Sequence, residues 1–139
     1  MMGNMKSKRR HGTTIIEMAL SLPILLALSL GTVEFGVLFS RYQILLASAR
    51  EGGRTASLYR MQCNPRRVKG EVDVAVMNNS NQLGMLLLPS NVSVDGACID
   101  GNVTVIVRYI HYFSVIGSLL TADANVPLEV TVVMRNEIS

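Results

Sequence analysis

Glu17 and Glu34 bracket sixteen uncharged residues, 18–33, with the composition of a lipid-soluble helix. A carboxylate beside such a run needs a cation, hydrogen-bond donors or water, because at a bilayer centre it costs about 2.5–3.5 kcal/mol on insertion scales. The other side chains with evident chemistry are Cys63, Cys98, His11 and His111. His11 follows a basic stretch and His111 stands alone on a predicted strand, so no metal-ligand spacing emerges. Ser and Thr are plentiful, but none lies in a G-x-S-x-G elbow, a Walker loop or a zinc signature. The expectation is a non-enzyme, with no catalytic residue, no metal site and no cofactor. What remains is ion pairing by Glu17 and Glu34 and thiol chemistry at Cys63 and Cys98.

The charge distribution narrows the partners. The chain has 139 residues, is 49% hydrophobic and only 5% aromatic, and carries a formal charge of +3. Of its thirteen Lys and Arg, four (Lys6, Lys8, Arg9, Arg10) precede residue 12, which leaves nine against ten Asp and Glu in the rest. The basicity belongs to a leader, and no nucleic-acid partner is expected. The uncharged run spans about 24 Å as a helix, slightly short of a ~30 Å hydrocarbon core, and residues 13–39 extend it at the cost of including both glutamates.

Three readings of this segment compete. A secretory signal peptide calls for a small-residue cleavage site after the apolar run, and none closes it cleanly. A plain signal anchor gives no reason for Gly12 or Glu17. In the third reading the chain is cut at Gly12/Thr13 and the apolar run stays in the mature protein. Glu17 is then four residues from the new α-amino group of Thr13, on the same helix face and near the positive end of the helix dipole. It can pair with that amine or with the amine of a neighbouring subunit. The plainer alternative is an interfacial acid reaching water.

The string GTTIIEMALSLPILLALSLGTVEFGVLF followed by ASAREGGRTA resembles the TadE-like family of minor pilins, or pseudopilins, of the tight-adherence (Tad) type IV pilus. The resemblance lies in Gly12, Glu17, Pro23, the segment from Gly31 through Glu34 to Gly36, and residues 49–54. A basic leader, a Gly and a Glu five residues later are also similar to the class III signal of type IV prepilins. The family implies cleavage by a prepilin peptidase on the cytoplasmic face. It also implies partners among other Tad pilins and the inner-membrane assembly machinery, and a place in the pilus or at the cell surface after assembly for adhesion. Residue 13 is Thr where many methylated type IV pilins carry Phe. Met18 follows Glu17 where the major Tad pilin carries Tyr. That major pilin is also much shorter, which favours a minor role. The rival function is a single-pass, membrane-anchored periplasmic adaptor that never enters a filament.

Orientation follows from charge: four basic residues precede the span and only Arg41 follows closely, which places the N-terminus in the cytoplasm. In the Gram-negative cell that the family implies, the protein is a single-pass inner-membrane protein in contact with lipid, its C-terminal part periplasmic. The expected organisation is a leader over 1–12, a long helix over 13–61 that is transmembrane in 13–39, and a periplasmic α+β domain over 62–139.

Beyond the membrane, Leu38, Leu45, Gly52 and Tyr59, with Tyr42, Ala49 and Ala56, recur at seven-residue spacing and predict one helical stripe. Gly52 and Gly53 weaken a helix by about 1 kcal/mol each relative to Ala. Either the small face of Ala49, Gly52, Gly53 and Ala56 allows close approach, or the pair kinks or ends the helix. Arg50, Glu51 and Arg54 are expected to be solvated or ion-paired. Val68, Val72 and Val76 fit a short helix over 66–83, although Val72, Val74 and Val76 also fit a strand. Residues 90–139 read as sheet. Asp100-Gly101 predicts a two-residue hairpin loop, with Cys98 opposite Val103, Val94 opposite Val107 and Val92 opposite Tyr109. Residues 126–135 form another strand with Val126, Leu128, Val130, Val132 and Met134 on one face, and 113–120 form an apolar crossover. The external half of the long helix is the available cover for such a sheet, which is a pilin-like α+β layout. In an oxidising compartment Cys63 and Cys98 can form one disulfide, worth about 3–4 kcal/mol in the chain-entropy model. The alternative is two free, small core residues.

Overall fold

The computed structural model describes residues 8–58, 64–96, 101–114, 117 and 125–135. Cys63, Cys98 and most of the expected 113–120 crossover lie outside these residues, as do positions 59–61 at the end of the expected long helix.

The first element is a helix, α1, of 51 residues, Lys8–Leu58. Its first half is apolar on every side, as a helix surrounded by lipid must be. Only 6% of its most apolar window is buried within the protein, and the helix is long and apolar enough to cross a membrane. Three hydroxyls of this half are turned back on the backbone. Ser21 Oγ donates to the carbonyl of Glu17 at 2.9 Å, Ser29 Oγ to that of Leu25 at 2.8 Å and Thr32 Oγ1 to that of Leu28 at 2.8 Å. Hydroxyls bonded in this way do not present an unsatisfied donor to hydrocarbon. Pro23 lies inside the helix, which runs on past it, a combination tolerated in membrane helices.

The second half of α1 is one-sided. Leu45, Ser48, Ala49, Gly52, Gly53 and Ala56 are buried, while Arg50 and Arg54 are exposed. Tyr42, expected on the buried stripe, is 40% exposed. The stripe runs instead through position 41, because a 3.5-residue period alternates steps of four and three.

Helix α2, Pro65–Gln82, packs beside this stripe. The side chain of Asn64 caps it by accepting from the Arg66 amide at 3.1 Å, and Pro65 occupies the first turn, where no amide donor is missed. Val68, Val72, Val76 and Ser80 form its buried face. That period of four resolves the helix-or-strand ambiguity in favour of helix. Gly84, at φ +78°, ends it in the left-handed conformation, with the Met85 amide returning to the Ser80 carbonyl at 2.8 Å. A 3₁₀ turn at Pro89–Asn91 leads into the sheet.

The sheet has three antiparallel strands in the order β1 (Val92–Asp95), β2 (Asn102–Tyr112) and β3 (Asn125–Arg135). Both helices cover one face. Val103, Val105, Val107 and Val130 meet Leu45, Ala49, Val72 and Val76 in a single core. The five β3 residues expected inward, Val126 to Met134 in alternation, are the more buried set. The β1–β2 register differs from expectation: Val92 pairs with Val107 and Val94 with Val105. The shift is two residues, so every side chain keeps its face. Its cause is the turn. Pairing ends at Asp95–Thr104 and Gly96 adopts φ +73° beside the Asn102 carbonyl, so the loop is longer than the Asp100-Gly101 pair.

The glycine pair sets how closely α1 approaches α2 and the sheet. A Cβ on Gly52 would sit 2.6 Å from Val76 Cγ2 and 3.2 Å from Val72 Cγ1, and one on Gly53 would sit 2.9 Å from Met134 Cγ. Close approach therefore accounts for both residues, and α1 continues past them. Gly52→Ala is expected to lower stability by about 1–3 kcal/mol despite its better helix propensity. Gly70→Ala, on α2 with nothing within 4 Å of the added carbon, should raise it by about 0.5–1 kcal/mol. Thermal melts of the full chain in detergent, followed by circular dichroism, compare the two. A rise in Tm for Gly52→Ala would contradict this packing.

Candidate functional site

The two glutamates of α1 lie about 26 Å apart along the helix axis and meet opposite fates. Glu17 is exposed on the apolar half. Glu34 is 8% exposed and accepts a hydrogen bond from Ser114 Oγ at 3.3 Å. Gly12 and Thr13 lie in the early turns of α1, both exposed, and nothing stands within 4 Å of a Cβ placed on Gly12. The fold thus separates the expected cleavage position and Glu17 from Glu34, and places only Glu34 against the sheet.

Glu34 belongs to a cleft of about 290 Å³ where α1 meets the end of β2. Arg41, one heptad along α1, shares it with His111, Tyr112 and Ser114, while Leu30, Val33 and Val37 form its apolar lip. Arg41 Nη1 donates to Tyr109 Oη at 3.2 Å, and its guanidinium carbon is 5.7 Å from the ring centroid. That distance is close to the ~6 Å limit for cation–π attraction, so the hydrogen bond is the main contact. His111 is 7% exposed and meets Phe113 edge-on at 5.1 Å between centroids. Phe113 in turn meets Phe35 at 6.2 Å. Higher up, Ser48 Oγ donates to Asn79 Oδ1 at 3.1 Å and ties α1 to α2.

This cleft is a polar seam between the lipid-like half of α1 and the core. It brings acid, base and hydroxyl groups together. Among the described residues no three His, Cys, Asp or Glu side chains converge as a metal site would require. The seam was partly legible. Stepping back from Leu45 by four and seven residues along the stripe reaches Arg41 and Leu38, and a further heptad from Arg41 reaches Glu34. His111 continues the inward alternation of Val103, Val105 and Val107. Ser114 carried no sequence signal.

One long apolar helix bearing a two-layer head of helix and antiparallel sheet defines a pilin-like α+β protein. Residues 12–54 match the model of the family described as TadE-like protein, which implies a protein associated with the Tad pilus. The match begins at Gly12, takes in both glutamates and Arg41, and ends just after the glycine pair, so it lies wholly within α1. No curated protein and no solved structure matches the chain.

Arg41→Ala is expected to destabilise the head by about 1–2 kcal/mol and Tyr109→Phe by about 0.5–1.5 kcal/mol. The double variant should lose less than the sum, since both remove the same contact. Strictly additive losses in thermal melts would show that the two side chains do not interact.

Proposed function

We propose that this chain is a minor pilin, or pseudopilin, of a Tad-type type IV pilus, which is assembled for adhesion. A prepilin peptidase cuts it between Gly12 and Thr13 on the cytoplasmic face. Residues 13–39 hold it in the inner membrane, and the head waits in the periplasm for assembly with other Tad pilins. The observation that carries this reading is the TadE-like match over residues 12–54, which falls on the helix joining the apolar half to the head.

The two carboxylates then have distinct tasks. Glu34 serves assembly through its own chain, since the bond from Ser114 fixes the sheet against α1 at the edge of the apolar band. Glu17 is exposed on that band, so its cover must come from outside the head. Cutting after Gly12 frees an amine four residues away, and the same amine on a neighbouring subunit offers an equivalent partner. A buried carboxylate that loses its partner costs about 3–5 kcal/mol, enough to decide whether two subunits stay together.

Glu17→Gln keeps the size of the side chain and one hydrogen-bond acceptor but removes the charge. At equal levels of mature protein, its pull-down of partner pilins should fall about tenfold or more. Unchanged recovery would contradict the pairing and would favour an anchored periplasmic adaptor.

A further inference from the structure

We propose that the lower end of the sheet's outer face, formed by Ile110, Tyr112 and Pro127 with Phe35 and Phe113 beside it, is a lipid-contact surface on which the head rests against the bilayer. The proposal depends on the reading above only in that α1 is membrane-inserted.

Four contacts set the heights. Val105 lies over Gly52, Tyr109 bonds to Arg41, Phe113 meets Phe35 and Ser114 bonds to Glu34. Strand β2 therefore runs antiparallel to α1, and its C-terminal end descends toward the apolar half of the helix. Residues 13–33 measure about 31 Å as a helix, close to the ~30 Å hydrocarbon thickness. With that segment in the core, Glu34 and Phe35 lie at the boundary with the headgroups. The end of β2 lies at the same level.

The outer face of the sheet changes character along its length. Its upper part carries Asp95, Arg108, Glu129 and Arg135, and Arg108 Nε bonds to Glu129 Oε2 at 2.6 Å across the strands. Below that bridge the outward pairs are Ile110 with Pro127 and Tyr112 with Asn125. Tyr112 is 65% exposed and Ile110 51%. Among the described residues of this lower end, 109–114 and 125–128, none is Asp, Glu, Lys or Arg. Phe35, 62% exposed, lies at the same level on the helix side of the sheet, where it meets Phe113. Aromatic and aliphatic side chains without formal charge, with a phenol among them, suit the headgroup–acyl boundary. A charge-bearing face in water has no need of this arrangement. His111 and Tyr112, at this lower end, also line the cleft that holds Glu34.

The chain contains no Trp, so a single introduced Trp reports its own surroundings. The full chain would be reconstituted in phosphatidylcholine nanodiscs, with and without bromine high on the acyl chains. Three variants are compared: Leu22→Trp in the apolar band, Tyr112→Trp at the lower end of the sheet, and Val133→Trp at the upper end of the same face. Brominated lipid should quench Leu22→Trp and Tyr112→Trp strongly and shift neither toward water-like emission, while Val133→Trp keeps its intensity. Ile110→Trp provides a second reporter and should follow Tyr112→Trp. If Leu22→Trp is quenched and Tyr112→Trp behaves like Val133→Trp, the head stands clear of the membrane and the proposal fails. Blue-shifted but unquenched emission from Tyr112→Trp would show a protein partner on the patch and also overturn it. Absence of quenching in Leu22→Trp would instead refute membrane insertion of α1 itself.

Discussion

One helix must satisfy two solvents. For its first half, α1 needs apolar side chains all round, and for its second it needs one apolar stripe and a solvated back. No break in the helix marks the change, which extends over residues 34–41. There the stripe begins with Glu34 and Arg41, charged residues at positions where a soluble core would place Leu. They are acceptable because β2 ends beside them and supplies Ser114 and Tyr109 as partners. Everything above this point depends on continuity. The small residues Ala49, Gly52, Gly53 and Ala56 can bring α2 and the sheet close only if the helix stays straight enough to present them on one side. In this protein the glycines' propensity cost is offset by packing that a larger residue would block.

The same constraint divides the labour between the glutamates. A carboxylate beside an apolar band is stable only when covered, and a buried charge without a partner costs several kcal/mol. Glu34 is covered by the head of its own chain. Glu17, about 26 Å away along α1, has no part of the head near it and lies exposed on the helix. A carboxylate that the head of its own chain does not cover is well placed to make association with another subunit favourable. This physical logic links the proposed assembly role to the TadE-like match, which covers both glutamates.

Much of this was legible in the residues because lipid and core impose strong, simple patterns. The apolar run, the close-packing small face and the inward alternation of β3 each follow from one period. The Val68, Val72 and Val76 stripe was ambiguous, since Val74 between them also fits a strand. The buried face at Val68, Val72, Val76 and Ser80 settles it as helix, which the Asn64 cap and Pro65 begin. The hairpin loop was misjudged because Asp100-Gly101 satisfies a two-residue turn on its own, while strand pairing already ends at Asp95–Thr104. The error did no harm to the face assignments, because a shift of two residues preserves them. The polar seam was hardest to see. Its partners lie far apart in the chain: 68 residues separate Arg41 from Tyr109 and 80 separate Glu34 from Ser114. Only the antiparallel run of β2 along α1 brings them together.

The central claim is that α1 begins its working life at Thr13, as the membrane helix of a processed pilus subunit. The direct measurement is the intact mass of the protein extracted from membranes of cells with and without the prepilin peptidase, beside the same measurement on Gly12→Val. The account predicts a mature chain lacking residues 1–12 only when the peptidase is present, and full-length precursor for Gly12→Val in either cell. A mature mass that is independent of the peptidase, or normal processing of Gly12→Val, would contradict it.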